Sequence, residues 1–254
     1  MTLADRVAIV TGAGGAIGRE VATRLADAAA TVVAADLDAP DYGGDGRFVP
    51  VALDVTDSAA VDREVGNVIG RLGRIDILVN VAGVYGDMAR ADRITPGEWD
   101  TYLEVNLTGP FKMCRAVLPH MVERRWGRIV NFGSISSVDG GYRQAHYTSA
   151  KAGVIGLTRS VALEFAAAGI TCNTVMPGPV DTPKISMAPR DVIDGALDAI
   201  PAGRFATTAD VAAVVAFLVS PDAGYVNGVQ VPVDGGALLL QYRFARKTTY
   251  PPMG

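Results

Sequence analysis

The sequence predicts an α/β fold: a single-domain, doubly wound parallel sheet with helices on both faces. Three observations predict it. Short apolar runs rich in Val and Ile alternate with amphipathic stretches along the chain. Such nearly continuous runs suit strands covered on both faces, because half-exposed strands alternate apolar and polar residues instead. A glycine-rich turn joins the first apolar run to the first helical stretch. No linker, repeat or low-complexity segment divides the 254 residues, and 49% of them are apolar, enough to bury one large core. Repeated βα units then imply parallel pairing through right-handed crossovers.

In order, strands are expected at Val7–Thr11, Thr31–Asp36, Phe48–Leu53, Ile75–Asn80, Arg128–Phe132, Thr171–Met176 and Gln230–Val233. Helices are expected near 17–28, 58–72, 97–122, 147–167 and 209–219. Pro183–Arg204 carries prolines, methionines and weak periodicity, which reads as a loop with a short helix. Residues 1–240 form the expected catalytic domain, and Gln241–Gly254 a polar and aromatic tail of the kind that docks on a neighbouring subunit or stays unfolded.

A net charge of -4 with interspersed signs argues against nucleic-acid binding, which needs a basic patch. The apolar runs are too short to span a membrane, and the first residues lack a signal-peptide pattern. Cys114 and Cys172 stand alone, as buried reduced thiols of a cytoplasmic protein would. With only His120 and His146 besides, no metal site is expected.

The turn Thr11-Gly12-Ala13-Gly14-Gly15-Ala16-Ile17-Gly18 lies between a strand and a helix. Glycines there let backbone N–H groups approach a pyrophosphate at the positive end of a helix dipole. Gly12, Gly15, Ile17 and Gly18 are the expected contacts. Asp36 ends the second strand, 24 residues after Gly12, with Leu37 following. A carboxylate there bonds ribose hydroxyls and repels a 2′-phosphate, so the expected cofactor is NAD rather than NADP. Asp54 reads either as an adenine contact or as a helix cap in Asp54–Ser58.

Tyr147 and Lys151 lie four residues apart at the start of a helical run, hence on one face. An ammonium beside a phenol is expected to lower its pKa, making it a proton carrier. Ser134 lies 13 residues before Tyr147, just beyond a strand end, where its hydroxyl would face the ligand crevice of a parallel sheet. It would stabilise charge developing on a substrate oxygen. Asn106 falls inside the long helix, where asparagine is a poor former, so a kink or a bound water is expected there.

Together these motifs resemble the short-chain dehydrogenase/reductase family over roughly residues 1–237. The glycine turn is similar to the family's TGxxxGxG, with Ala16 in place of the middle glycine. Asn106, Ser134, Tyr147 and Lys151 match its catalytic tetrad in order and spacing. The resemblance implies a Rossmann-type fold and hydride transfer between a nicotinamide cofactor and a secondary alcohol or ketone, with Tyr147 as general acid/base. It implies that Lys151 also holds the nicotinamide ribose and that Asn106 holds a water. It places Asp54 and the backbone of Val55 at the adenine, and Asn80, Ala82 and Gly83 (in Asn-Val-Ala-Gly, Val81 replacing the family's second asparagine) beside the adenosine ribose. It places Pro177, Val180 and Thr182 at the nicotinamide carboxamide.

Substrate contacts are expected from Ser134, Ser136, Gln144 and Tyr147, with Val138, Arg143, Tyr85 and the loop after Thr182 around them. Arg143 is either a solvated loop residue or an anchor for a substrate carboxylate; His146 reads as structural. The pattern is similar to the 3-oxoacyl-carrier-protein reductase subgroup, which commonly prefers NADP, so Asp36 argues against carrying its substrate over directly. The alternatives are a 3-oxoacyl thioester reductase and a non-catalytic NAD-binding sensor or scaffold. An extended-type epimerase or dehydratase would need a larger substrate domain after Thr182. A homotetramer is expected: Val154, Leu157, Val161, Leu163 and Phe165 spread apolar surface around the 147–167 helix, with Gly153 and Gly156 as gaps for close approach and Leu238–Leu240 at a second interface.

Overall fold

The structure, a computed structural model, describes residues 2–186 and 189–239. Among them, seven strands form one parallel sheet: β1 (Val7–Thr11), β2 (Thr31–Asp36), β3 (Phe48–Ala52), β4 (Ile77–Asn80), β5 (Gly127–Phe132), β6 (Ile170–Pro177) and β7 (Gln230–Val233). Their order is β3-β2-β1-β4-β5-β6-β7. Two of the sheet's prolines, Pro50 and Pro232, lie on the edge strands β3 and β7, where a missing N–H is tolerated, and Pro177 ends β6. The helices are α1 (Ala16–Asp27), α2 (Ser58–Leu72), α3 (Pro96–Leu103), α4 (Gly109–Arg124), α5 (Ser136–Asp139), α6 (Ala145–Phe165), α7 (Pro183–Ser186), α8 (Arg190–Asp198) and α9 (Thr208–Val219).

The period-2 alternation of the strands splits the core in two. Ala8, Val10, Val32 and Ala34 pack on one face under α1 and α9, while Val7, Ile9, Val33 and Ala35 pack on the other under α2, α4 and α6. Local chemistry sets the helix starts. Asp57 caps α2 by accepting from the N–H groups of Ala59 and Ala60. Thr95 and Glu98 form a capping box on α3, and Thr207 and Asp210 one on α9. The cap expected at Asp54 therefore belongs to Asp57; Asp54 instead folds back on the N–H and hydroxyl of Thr56, 2.8 and 2.7 Å away.

The long helix expected over 97–122 is a rod with a defect. Between α3 and α4, Glu104–Thr108 forms a π-helical turn. Asn106 causes it locally: its side-chain Nδ2 donates to the carbonyl of Tyr102, four residues back, at 3.1 Å. That bond competes with the backbone ladder, and π turns of this kind recur at functional sites. The Pro183–Arg204 segment holds two helices, α7 and α8, rather than one. On α6, Val154 and Val161 are buried whereas Leu163 is 83% exposed. The gap at Gly153 is filled from within, since a Cβ there would lie 2.7 Å from Leu107 of the same chain; only Gly156 opens outward. The tail from Gln241, and with it the end of the Leu238–Leu240 patch, lies outside the described residues. Among the described residues no helix is long and apolar enough to cross a membrane.

Candidate active site

Strand order reverses between β1 and β4, so the connections leaving them diverge to opposite faces and open a crevice at the strands' C-terminal ends. The glycine turn occupies this point. Gly12 has φ +66°, and a Cβ there would lie 2.8 Å from the N of Ala82. Gly18 is pressed against the turn, where a Cβ would come within 2.0 Å of the Gly12 carbonyl. No side chain caps α1 at Gly15, so its first N–H groups remain available to an anion. The Asp36 carboxylate reaches across from β2 and accepts from the N–H groups of Gly14 and Leu37, both at 2.8 Å. Leu37 beside it is 68% exposed.

Beyond β4, Thr11 Oγ1 accepts from the Ala82 N–H at 3.2 Å, holding the Ala82–Gly83 turn against the glycine loop. The Asn80 side chain is buried, and its Nδ2 donates to Asn131 Oδ1 at 2.8 Å, tying β4 to β5. Val55 is buried against Gly109, at the start of α4. After β6, the N–H of Asp181 and the carbonyl of Pro179 pair with Ala206, and among the described residues the N–H and C=O of the intervening Val180 are unspent.

A cleft of about 760 Å³ continues from this crevice, lined by Ile17, Gly83, Asn106, Ser134, Ser136, Gln144, Tyr147, Lys151, Pro177, Val180 and Thr182 among others. Four expected catalytic residues from three separate elements thus line one cleft. Ser134 follows β5, and its Oγ lies 2.8 Å from that of Ser136. Lys151 is 5% exposed, and its Nζ donates to the Phe132 carbonyl at 2.8 Å. It lies 5.9 Å from the centre of the Tyr147 ring. Asn106 spends its Nδ2 on the carbonyls of Tyr102 and Val84, leaving a buried Oδ1 with no partner. A Cβ on Gly83 would lie 2.7 Å from that Oδ1 and 3.5 Å from Lys151 Nζ, so the orphan acceptor and the ammonium face the same small gap. Such a pair suits a bound water.

Burial dominates the titration of both groups. It pushes the Tyr147 phenol up to about 12, against a smaller downward pull from its hydrogen bond with Ser134. It pushes Lys151 down to about 8. The lowering of Tyr147 expected from Lys151 is therefore not met here. Desolvation outweighs it, and the ammonium is turned to the Phe132 carbonyl.

Two expected neighbours fall elsewhere. Val138 is 64% exposed and does not line the cleft. Arg143, at φ +59°, lines an adjoining surface depression of about 490 Å³ with Arg90, Asp92 and Tyr142. His146 is buried against Tyr102, in keeping with a structural role. The far wall of the cleft is apolar, built from Met88, Ile185, Val192, Ile193, Ala196 and Phe205. Most of these come from the α7–α8 segment, whose weak periodicity hid them. Tyr85 is fixed over Tyr147 by its hydroxyl, which accepts from Gln144 Nε2 at 3.1 Å.

The donors fit a dinucleotide: a glycine turn with unspent helix N–H groups, a carboxylate at the end of β2 and unspent backbone at Val180. Comparison with known proteins agrees. A family model described as Enoyl-(Acyl carrier protein) reductase matches residues 12–237. The 3-oxoacyl-acyl-carrier-protein reductase FabG of Thermotoga maritima is 37% identical, over 94% of this chain and 100% of that protein. The (2S)-((R)-hydroxy(phenyl)methyl)succinyl-CoA dehydrogenase subunit BbsD of Thauera aromatica is 39% identical, over 94% and 99%. The crystal structure of levodione reductase superposes with a TM-score of 0.88 at 34% identity, over 93% of this chain and 99% of that one. The chain belongs to the short-chain dehydrogenase/reductase family of nicotinamide-dependent oxidoreductases.

Proposed function

We propose that the protein is an NAD-dependent oxidoreductase that interconverts a secondary alcohol and a ketone. The observation that carries this reading is the convergence of Asn106, Ser134, Tyr147 and Lys151 on one cleft at the sheet's switch point. The dinucleotide would lie across Gly12, Gly15, Ile17 and Gly18, with Asp36 and Leu37 at the ribose. Asp54 and Val55 would meet the adenine, with Asn80 (through its backbone), Ala82 and Gly83 along the ribose. Pro177, Val180 and Thr182 would meet the carboxamide. When bound, the nicotinamide ring supplies or accepts the hydride.

The protein's part is placement and proton movement. Ser134 donates to the substrate oxygen as charge gathers there, and Ser136 fixes the Ser134 hydroxyl. Tyr147 gives or takes the proton at its hydroxyl. A phenol raised to about 12 is fully protonated near neutral pH, which suits it to donate the proton in ketone reduction. Lys151 stabilises the phenolate that this leaves behind and contacts the nicotinamide ribose. A water held by the orphan Oδ1 of Asn106 returns the proton from solvent.

The FabG and BbsD relatives act, by their names, on acyl thioesters, levodione reductase by its name does not, and the far wall of this cleft is apolar. A 3-oxoacyl or 3-hydroxyacyl thioester is therefore the substrate form we favour. Among the described residues Lys151 is the one cation lining the cleft. Arg143 could reach only the part of a long substrate that leaves by the adjoining depression. We further propose a cytoplasmic homotetramer joined partly through the outer faces of α4 and α6, where Phe111 and Leu163 are 48% and 83% exposed. Light scattering tests this; a monomer at micromolar concentration refutes it.

Initial rates with 3-oxobutanoyl thioesters, cyclic diketones and simple ketones, each with NADH and NADPH, test the activity. Tyr147→Phe should lower turnover by about 10²–10⁴-fold while cofactor binding persists. Substantial retained turnover would remove Tyr147 from the role.

A further inference from the structure

The chemistry above leaves two buried residues beside Tyr147 unused. Tyr102 and His146 are 3% and 1% exposed. Their rings stack, with centroids 3.8 Å apart and planes 10° from parallel. Tyr102 also meets Tyr147 edge-on, at 6.5 Å and 88°.

His146 acts on the backbone of Tyr147. Its Nδ1 accepts from the Tyr147 N–H at 2.8 Å. That N–H belongs to the first turn of α6, whose donors have no partner within the helix. Gln144, at the N-cap, provides no side-chain bond to them. His146 therefore supplies the missing acceptor at the residue that must be aimed, and the stacked Tyr102 ring holds the imidazole in place.

Tyr102 reaches in two further directions. Its carbonyl accepts from Asn106 Nδ2 at 3.1 Å, which fixes the π turn. Its hydroxyl accepts from the Asp87 N–H at 3.0 Å and donates to Asp87 Oδ2 at 3.4 Å. The Asp87 segment follows β4 and supplies Val84, Tyr85 and Met88 to the cleft wall. A leucine would keep the position apolar, but it could neither stack on an imidazole nor hold that loop.

We propose that Tyr102 and His146 are paired positioning residues, a clamp that aims the Tyr147 phenol into the cleft and ties it to the loop walling the substrate. The clamp is a device of this site's geometry and rests on the reading of Tyr147 as the proton carrier.

Four variants separate its parts. His146→Leu removes acceptor and stack; His146→Asn restores an acceptor at the Nδ1 position. Tyr102→Leu removes ring and hydroxyl; Tyr102→Phe keeps the ring alone. Each is compared with Tyr147→Phe for kcat and KM with NADH and a 3-oxobutanoyl thioester, normalised to folded, cofactor-binding protein. The same proteins are prepared with 3-fluorotyrosine, and the Tyr147 fluorine resonance is assigned by its loss in Tyr147→Phe.

His146→Leu should lower kcat by about tenfold or more with little change in KM, and His146→Asn should recover most of it. Tyr102→Phe should raise KM by a larger factor than it lowers kcat. The Tyr147 resonance, single in the parent protein, should split or broaden in His146→Leu and Tyr102→Leu. The clamp is overturned if that resonance is unchanged in both, or if kcat falls only as far as folded protein is lost. Should His146→Leu fail to fold, the spectra of Tyr102→Leu and His146→Asn decide by the same criterion, with Asn expected to match the parent. If Tyr147→Phe keeps its turnover, the acid/base reading fails, whatever the clamp does. If Tyr147→Phe is inactive while His146→Leu and Tyr102→Leu behave as the parent, the clamp alone fails.

Discussion

Two cations are buried near opposite ends of β5, and they are buried equally: Arg128 and Lys151 are each 5% exposed. Arg128 is answered on several sides. It donates to the carbonyls of Gly127, Gly169 and Ser220 at 2.8, 3.2 and 3.3 Å, and its guanidinium lies 4.5 Å from the centre of the Trp126 ring. Ser220 ends α9 and Gly169 ends the turn after α6, so the charge sits at the negative ends of helical segments. Lys151 donates to one carbonyl, that of Phe132. Burial lowers the pKa of both, but a guanidinium stays protonated regardless, whereas the lysine falls to about 8. Equal burial thus yields a structural cation where the donors are used and a titratable one where they are left facing a cleft.

The largest effects should separate these two roles. Lys151→Met is expected to lower kcat/KM by more than about 100-fold and to weaken cofactor binding. The same substitution should raise stability by about 1–2 kcal/mol at pH 7, because a poorly solvated charge is replaced by an apolar chain of similar length. Arg128→Met should do the reverse. Three carbonyls, two of them in buried bonds, lose their donor, which costs about 2–4 kcal/mol, while turnover per folded molecule is kept. Urea unfolding and rates normalised to folded protein measure both. If the two variants lose stability alike, burial rather than satisfaction sets the outcome and the comparison fails.

A smaller effect follows from pH. Lys151 titrates at about 8 folded against 10.5 as a free side chain. Between those values the unfolded chain binds more protons, so stability should rise with pH across that window, by about 3 kcal/mol at most. The penalty is fully present below pH 8 and relieved by pH 10.5. Tyr147 works in the opposite sense: raised to about 12 from 10, it makes stability fall as pH climbs above 10. Unfolding midpoints compared with Lys151→Met isolate the first slope, which should vanish in that variant.

The sheet was legible because a doubly covered parallel strand leaves an unbroken apolar run, and all seven runs are strands. The candidate catalytic residues were legible because spacing along one helix and position after a strand are local properties. Asn106 also revealed its neighbourhood, since a mid-helix asparagine needs somewhere to put its amide. What failed was whatever depends on partners distant in sequence. The bond of the Asn80 amide to Asn131 across the sheet has no local signal. Arg143 was given a place by the pocket, yet the turn carries it into the next depression. The direction of the Tyr147 shift was misjudged because the sequence displays the nearby lysine but not the depth of burial. The stacking of His146 on Tyr102 joins residues 44 positions apart with no periodic signal.

The smallest expected effect concerns cofactor choice, and it extends the contrast between answered and unanswered charges to an anion. The Asp36 carboxylate has two backbone donors, Gly14 and Leu37, so it is held in place as well as charged. A 2′-phosphate would meet that fixed charge beside an uncharged Leu37. Asp36→Ala with Leu37→Arg should lower the ratio of kcat/KM for NADH over NADPH by at least about tenfold, a difference of about 1.4 kcal/mol. The double substitution also frees the Gly14 N–H, which would weaken both cofactors and obscure the cause. Asp36→Asn removes the charge while keeping an oxygen to accept from the loop. If charge is the discriminator, Asn alone should recover part of the NADPH rate with little loss for NADH. If Asn leaves the ratio unchanged and Ala lowers both rates equally, Asp36 serves to hold the glycine turn and does not discriminate between the two cofactors.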